Sequence, residues 1–215
     1  MKISPSSLNL RQFFTGTKEQ FVIPPYQRRY AWGTKQQRDL FEDLHLLGAN
    51  DNHLLGTIVF LTDAHQYGLN RLEVVDGQQR LTSLTILIRV LANRFEQEAE
   101  HGDKRAEDCF RDLTAFLTCI DGNGQSHLRL WLGDLDRADY EAIVGDGDLS
   151  DVKNKSLLSA YDNYTKWLAD MSLTELYAFL NKLTSDTTVI RLDVSQAKDA
   201  YKLFEMINNR GLRLQ

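Results

Sequence analysis

The segment Asp76-Gly77-Gln78-Gln79-Arg80 gathers a carboxylate, two amides and a guanidinium within five residues. It follows a short strand-like run, Arg71 to Val75, and opens a long helical stripe, so a strand is expected to turn into a helix here. A helix start offers unpaired backbone N–H groups and the positive end of the helix dipole, and both attract phosphate. Glycine at position 77 lets a ligand approach the backbone closely. Arg80, one turn in, can add a forked phosphate contact. The same residues have a purely structural reading. Asp76 can cap the helix with Gln79 as its capping-box partner, and Gly77 can simply ease the turn.

A second segment, Ile23 to Trp32, has the same ambiguity. Pro24 and Pro25 fix an extended loop. Arg28 and Arg29 lie between Tyr26, Tyr30 and Trp32, a mixture that suits a nucleotide: guanidinium to phosphate, aromatic face to base. The plain alternative is an arginine pair on a solvated loop with its aromatics in the core. The third segment, Phe204 to Gly211, reads as a helix ending on a glycine cap. Asn208 and Arg210 can face a site if that end points into a cleft.

Other chemistries find little support. The histidines show no metal-ligand spacing, and neither a GxxxxGK[ST] loop, a GxGxxG loop nor a GxSxG elbow occurs. Cys109 and Cys119 lack CxxC spacing, which argues for a reducing compartment and against a disulfide framework or zinc site. Asp134, Asp136, Asp139 and Glu141 read as a solvated helix start.

The elements that must hold these segments are legible in outline. With 215 residues, 42% of them hydrophobic, the chain can bury a substantial core. A net charge of −5 disfavours a protein that coats nucleic acid non-specifically. Yet residues 26 to 38 carry Arg28, Arg29, Lys35 and Arg38 with no acid among them, as expected of a discrete anion site. No apolar run approaches the roughly 18 residues of a membrane span, and Met1 to Pro5 lacks the apolar stretch of a secretion signal, so a cytoplasmic location is expected.

Residues 7–15 read as a short helix and Gln20 to Ile23 as a strand. Thr34 with Gln37 reads as a capping box opening a helix. Leu54 to Thr62 and Arg71 to Val75 form a hairpin. Leu81, Leu84, Ile88, Leu91 and Phe95 mark one face of a helix running to about Glu98. Helices follow at 104–118, 135–144, 151–170 and 173–184, with a short strand at His127 to Leu132. Thr187 to Val194 is a strand, and Ala197 to Asn208 a helix with Ala200, Leu203, Phe204 and Ile207 inward, closed by Asn209-Arg210-Gly211. The fold class is α+β: a mixed unit over 1–100, a helical region over 101–185, and a strand and helix at 186–215 returning to the first unit.

Three blocks together resemble one family: FVIPPYQRRYAW, EVVDGQQRLTSL and YKLFEMINNRGLRLQ. They are similar, in the same order, to the signature blocks of the N-terminal domain of GmrSD-type modification-dependent restriction proteins and of SspE-type phosphorothioate-sensing defence proteins. The resemblance implies a ParB/sulfiredoxin-like unit whose DGQQR motif binds and hydrolyses a nucleoside triphosphate. Asp76, Gly77, Gln78, Gln79 and Arg80 would be that motif. Tyr26, Gln27, Arg28 and Arg29 would lie near the nucleotide or modified DNA, and Asn208, Arg210 and Gly211 match the third block. Such proteins restrict modified phage DNA, with cleavage by an HNH-type nuclease domain. No His-Asn-His arrangement is present here, so that domain is expected elsewhere in the full-length protein or on a partner chain.

The resulting expectation is an NTPase working with Mg2+ or another divalent cation. Asp76 would hold the metal or orient water, Gln78 or Gln79 would position the water, and Arg80 with Arg28 would balance phosphate charge. A non-catalytic DNA-binding sensor gripping phosphate with Arg28, Arg29, Lys35 and Arg38 is the alternative. A protein-interaction domain is a third reading. An oligomer is compatible with all of them.

Overall fold

The computed structural model describes residues 3–48, 51–66 and 68–211, with backbone alone at 63–66 and 207–211. Its centre is the expected hairpin. Strands β3 (His53–Gln66) and β4 (Leu69–Asp76) pair antiparallel. Alternation along β3 sends Ile58 and Phe60 to one face and Val59 and Leu61 to the other. The sheet is mixed and has the order β1-β8-β3-β4-β2-β7, with β1 at Ile3–Asn9, β8 at Thr187–Val194, β2 at Glu19–Val22 and β7 at Leu130–Trp131. β8 therefore enters between the first strand and the hairpin, parallel to β3 and antiparallel to β1. A separate two-stranded sheet joins β5 (Thr118–Ile120) and β6 (Ser126–Leu128).

One hydrophobic cluster links the inner sheet face (Ile58, Phe60, Leu72, Val74) to α3 (Gln78–Glu100). It continues into α4 (Lys104–Leu117), α5 (Asp134–Val144), α6 (Lys155–Ala169) and α7 (Leu173–Thr184). Every residue of α3 from Leu81 to Ala92 is buried, so the apolar stripe read from the sequence is only part of a helix enclosed on nearly all sides. α2 (Thr34–His45) packs on α6 and α7. On the opposite sheet face, α8 (Ala197–Gly211) sets Ala200 and Leu203 against Val59, Val75 and Val194. The architecture is thus α+β. Among the described residues no helix is long and apolar enough to cross a membrane.

Several local expectations are corrected. The short helix at 7–15 is a strand to Asn9 followed by one turn, α1 (Leu10–Phe13). Long-range pairing with β8 captures the polar stretch, and Asn9 then caps the turn, its side chain accepting from the Gln12 N–H at 2.8 Å. Thr34 is not a cap. Gly33 holds that position, its N–H bonded to the Gln36 side chain at 3.1 Å, while Gln37 is buried and donates to the Trp32 carbonyl at 2.9 Å. The strand at 127–132 divides at Arg129, whose buried guanidinium serves carbonyls of α4 and of the loop before β2.

The acidic start of α5 is the most consequential correction. Asp134 and Glu141 are exposed, but Asp136 and Asp139 are buried. Asp136 accepts from Arg29 Nε at 2.7 Å, from the Tyr30 N–H at 2.7 Å and from Asn154 Nδ2 at 2.9 Å. Asn154 also caps α6, donates to the Tyr30 carbonyl, and gives its own N–H to Asp139 at 2.6 Å. These bonds fix the Pro24–Gly33 loop against the helical region. Asp136→Ala leaves three donors without their acceptor. Each buried unsatisfied donor costs about 1–3 kcal/mol, so a loss of roughly 2–4 kcal/mol is expected. For a chain of this size that is a fall in Tm of roughly 5–15 °C in a thermal melt. An unchanged Tm would show that the network carries no stability.

Candidate functional site

The turn from β4 into α3 is made by Gly77. Its φ is +93°, and a Cβ there would meet Ile58 Cγ1 at 3.0 Å and the Thr57 carbonyl at 3.3 Å. Only glycine lets the chain turn this tightly against β3. Asp76 is the last residue of β4, paired with Val59, and Gly77 is the cap residue. Among the described residues no side chain seals the first turn of α3, and no acid lies in it. The capping-box reading of Asp76 and Gln79 is therefore not realised.

Gln79 reaches away from its own helix. Its side-chain oxygen accepts from the Ala31 N–H at 2.8 Å and its nitrogen donates to the Arg29 carbonyl at 3.1 Å. Gln27 does the reverse, donating to the carbonyls of Val74 and Val75 at 3.0 Å each. The two motif segments are thus bonded to each other through both glutamines.

The arginines separate into different states. Arg29 is tied to Asp136 and to the Leu135 carbonyl at 3.0 Å, so its charge is already answered. Arg28 is exposed and makes no ion pair among the described residues. Arg80 is half-buried. Its Nη1 donates to the Thr57 carbonyl at 3.3 Å and lies where a Cβ on Gly56 would come within 3.0 Å. Burial pulls the Arg80 pKa below the ordinary arginine value, and the nearby Asp76 carboxylate opposes that shift.

Asp76, Gly77, Arg80 and Arg28 meet Tyr26 and Trp32 around a cavity of about 850 Å³. α8 completes the wall with Tyr201 and Phe204. The Tyr26 hydroxyl donates to the Glu73 carboxylate and accepts from the Tyr201 hydroxyl, whose oxygen is 2.8 Å away. Burial, together with Glu73, holds the Tyr26 pKa well above the phenol range, so this hydroxyl stays protonated. A smaller chamber of about 230 Å³ adjoins the first, with Gln27, Arg28, Gln78 and Gln79 common to both walls. Gln78 is 8% exposed. Its amide has no hydrogen bond among the described residues.

Most of the residues singled out in the sequence thus converge on one place. Asn208 and Arg210 belong to α8, but their side chains lie outside the described residues, as does that of Ile207. Phe204 lines the cavity and does not enter the core with Ala200. Gly56, Glu73 and Tyr201 were not singled out. A glycine inside an apolar strand was the available signal for Gly56. Tyr201 opens the third resemblance block without its aromatic ring having drawn notice.

Chemically, the described residues offer an unsealed helix start, two cations without a carboxylate partner among those residues, one carboxylate and aromatic walls. Comparison with curated proteins returned no match. The family described as GmrSD restriction endonuclease, N-terminal domain, matches residues 10–215, a span that includes all three motif segments. With nearly the whole sequence matched, the chain belongs to the N-terminal domain family of GmrSD restriction endonucleases, and its setting is that of a restriction system.

Proposed function

We propose that the chain binds and hydrolyses a nucleoside triphosphate in the service of DNA restriction. The observation that carries this reading is the open first turn of α3, which faces a cavity of about 850 Å³ also lined by Arg28, Arg80 and Asp76. That volume suits a small-molecule site. Unsealed N–H groups with two arginines favour a polyanion, and the aromatic walls favour a nucleoside over inorganic phosphate.

In this reading the phosphates rest on the first turn of α3. Arg80 and Arg28 balance the charge that grows on them during transfer. Gln79 is occupied in holding the loop, which leaves Gln78 as the motif amide free to meet the ligand. Asn208 and Arg210 would add contacts from α8. A divalent ion such as Mg2+, when bound with the triphosphate, supplies further charge neutralisation. Asp76 is the carboxylate that would hold it. No group of three or more His, Cys, Asp or Glu residues suited to a metal occurs among the described residues. An ion shared with phosphate needs only one or two protein carboxylates. Modified DNA and a nuclease domain, in the same protein or on a partner chain, would be the downstream partners.

A thermal-shift panel of NTPs with and without Mg2+ tests binding. At a concentration of 100 Kd one triphosphate adds about 2.7 kcal/mol, a Tm rise of roughly 5–10 °C for a chain of this size. Salt-dependent DNA binding without any nucleotide effect would favour a sensor module instead. For hydrolysis, Asp76→Ala and Arg80→Ala are each expected to lower phosphate release by about tenfold or more, as a charged contact contributes about 1.5–3 kcal/mol. Wild-type turnover in both variants would remove these residues from the mechanism.

The two neighbouring arginines give a sharper contrast. Arg28→Ala is expected to weaken triphosphate binding about tenfold with Tm unchanged, because its charge serves only the ligand. Arg29→Ala is expected to lower Tm while affinity for the triphosphate, measured well below the melt, stays within about threefold. The opposite pattern in calorimetry and melting would reverse their roles.

A further inference from the structure

We infer that the smaller chamber is a nucleobase subsite in which the Gln78 amide and the Thr82 hydroxyl read the edge of one heterocyclic base. This deepens the triphosphate reading and rests on it only insofar as the base belongs to the same nucleotide.

The chamber holds about 230 Å³, the scale of one planar ring system with some solvent, and is too small for a whole nucleotide. Its walls are mainly apolar: Ile23 and the Pro24–Pro25 turn from the loop, Leu132 and Leu135 from around the start of α5. Flat apolar surfaces suit the faces of a base. The polar groups on the lining are mostly spent. Arg29 and Asp136 are bonded to each other, and Gln79 is bonded to the loop backbone. Arg28, also on the wall, is the cation this reading gives to the phosphates, which leaves Gln78 and Thr82. Both are more than nine-tenths buried, and neither side chain has a hydrogen bond among the described residues. Their polar atoms are open enough to the chamber to meet a ligand edge, which can replace water there by direct hydrogen bonds. A carboxamide presents one donor and one acceptor side by side, the pattern that pairs with a base edge.

Gln78 also explains why the two cavities adjoin. Gln78 belongs to the first turn of α3 and lines both spaces. A base in the chamber and phosphates at the helix start are therefore one residue apart. The base comes either from the bound triphosphate or from a separate nucleoside, and the recognition chemistry is the same.

Isothermal calorimetry on the full chain separates the cases, using inorganic triphosphate, the four common NTPs and the four nucleosides. Two variants probe the chamber. Leu135→Trp plugs it from a residue that is 70% exposed, where the fold tolerates the change. Thr82→Val removes one hydroxyl at nearly constant shape. At least one NTP is expected to bind about tenfold tighter than inorganic triphosphate, from one well-made base-edge contact. Leu135→Trp is expected to abolish that advantage and Thr82→Val to reduce it about threefold, both leaving inorganic triphosphate binding unchanged. If every NTP binds no better than inorganic triphosphate, or if the advantage survives in both variants, the base subsite is overturned while the phosphate site stands. If a nucleoside binds in a Leu135→Trp-sensitive manner and inorganic triphosphate does not bind, the base subsite stands and the triphosphate reading falls. Failure of every probe removes both.

Discussion

Two glutamine amides, exchanged between the Pro24–Gly33 loop and the β4–α3 turn, are the interaction on which the candidate site depends. Gln27 satisfies the Val74 and Val75 carbonyls near the end of β4, and Gln79 satisfies one N–H and one carbonyl of the loop. The loop has no regular ladder of its own, so its buried backbone groups need such partners. Each amide serves the other segment's main chain and not its own. The loop cannot move without also losing bonds at the helix start. Tyr30, Asp136 and Asn154 secure the other side of the loop to the helical region. Arg28 then projects from a loop pinned on both flanks.

This arrangement also sorts the charges. Three arginines come from two short segments, and burial with partners gives each a separate state. Arg29 has a carboxylate at 2.7 Å. Arg80 has a carbonyl, a glycine surface and a neighbouring carboxylate that is not in ion-pair contact. Arg28 has solvent and the two cavities. A charge already neutralised gives little further attraction to an anion, whereas a partly desolvated cation gives more. Position in the chain does not distinguish Arg28 from Arg29. The partner presented by α5, more than a hundred residues later, does.

How much of this was legible follows from the range of each interaction. The β3–β4 hairpin, the start of α3 and the strand at Thr187–Val194 rest on local pattern, and they appear where periodicity put them. Gathering Tyr26 to Arg29 with Asp76 to Arg80 followed from the family blocks, not from spacing. The first strand was missed because its polar sequence looks like a loop or helix start, and only pairing with β8 makes it a strand. The buried pair Asp136 and Asp139 was misread because acids at a helix start are usually solvated. Nothing local to residues 134–141 reveals that Arg29, Tyr30 and Asn154 will meet them.

The insertion of β8 between β1 and β3 has a consequence for the order of assembly. During synthesis the hairpin and α3 leave the ribosome well before residues 187–194 exist. Until then β1 and β3 have no strand to join them, and the sheet edge at β3 stays open. Contacts spanning most of the chain form slowly, because the loop they close is long. The aromatic wall from α8 is made later still. Ligand competence is therefore acquired only when β8 and α8 dock, and a chain made only as far as α3 would carry the DGQQR helix start without a finished cavity around it.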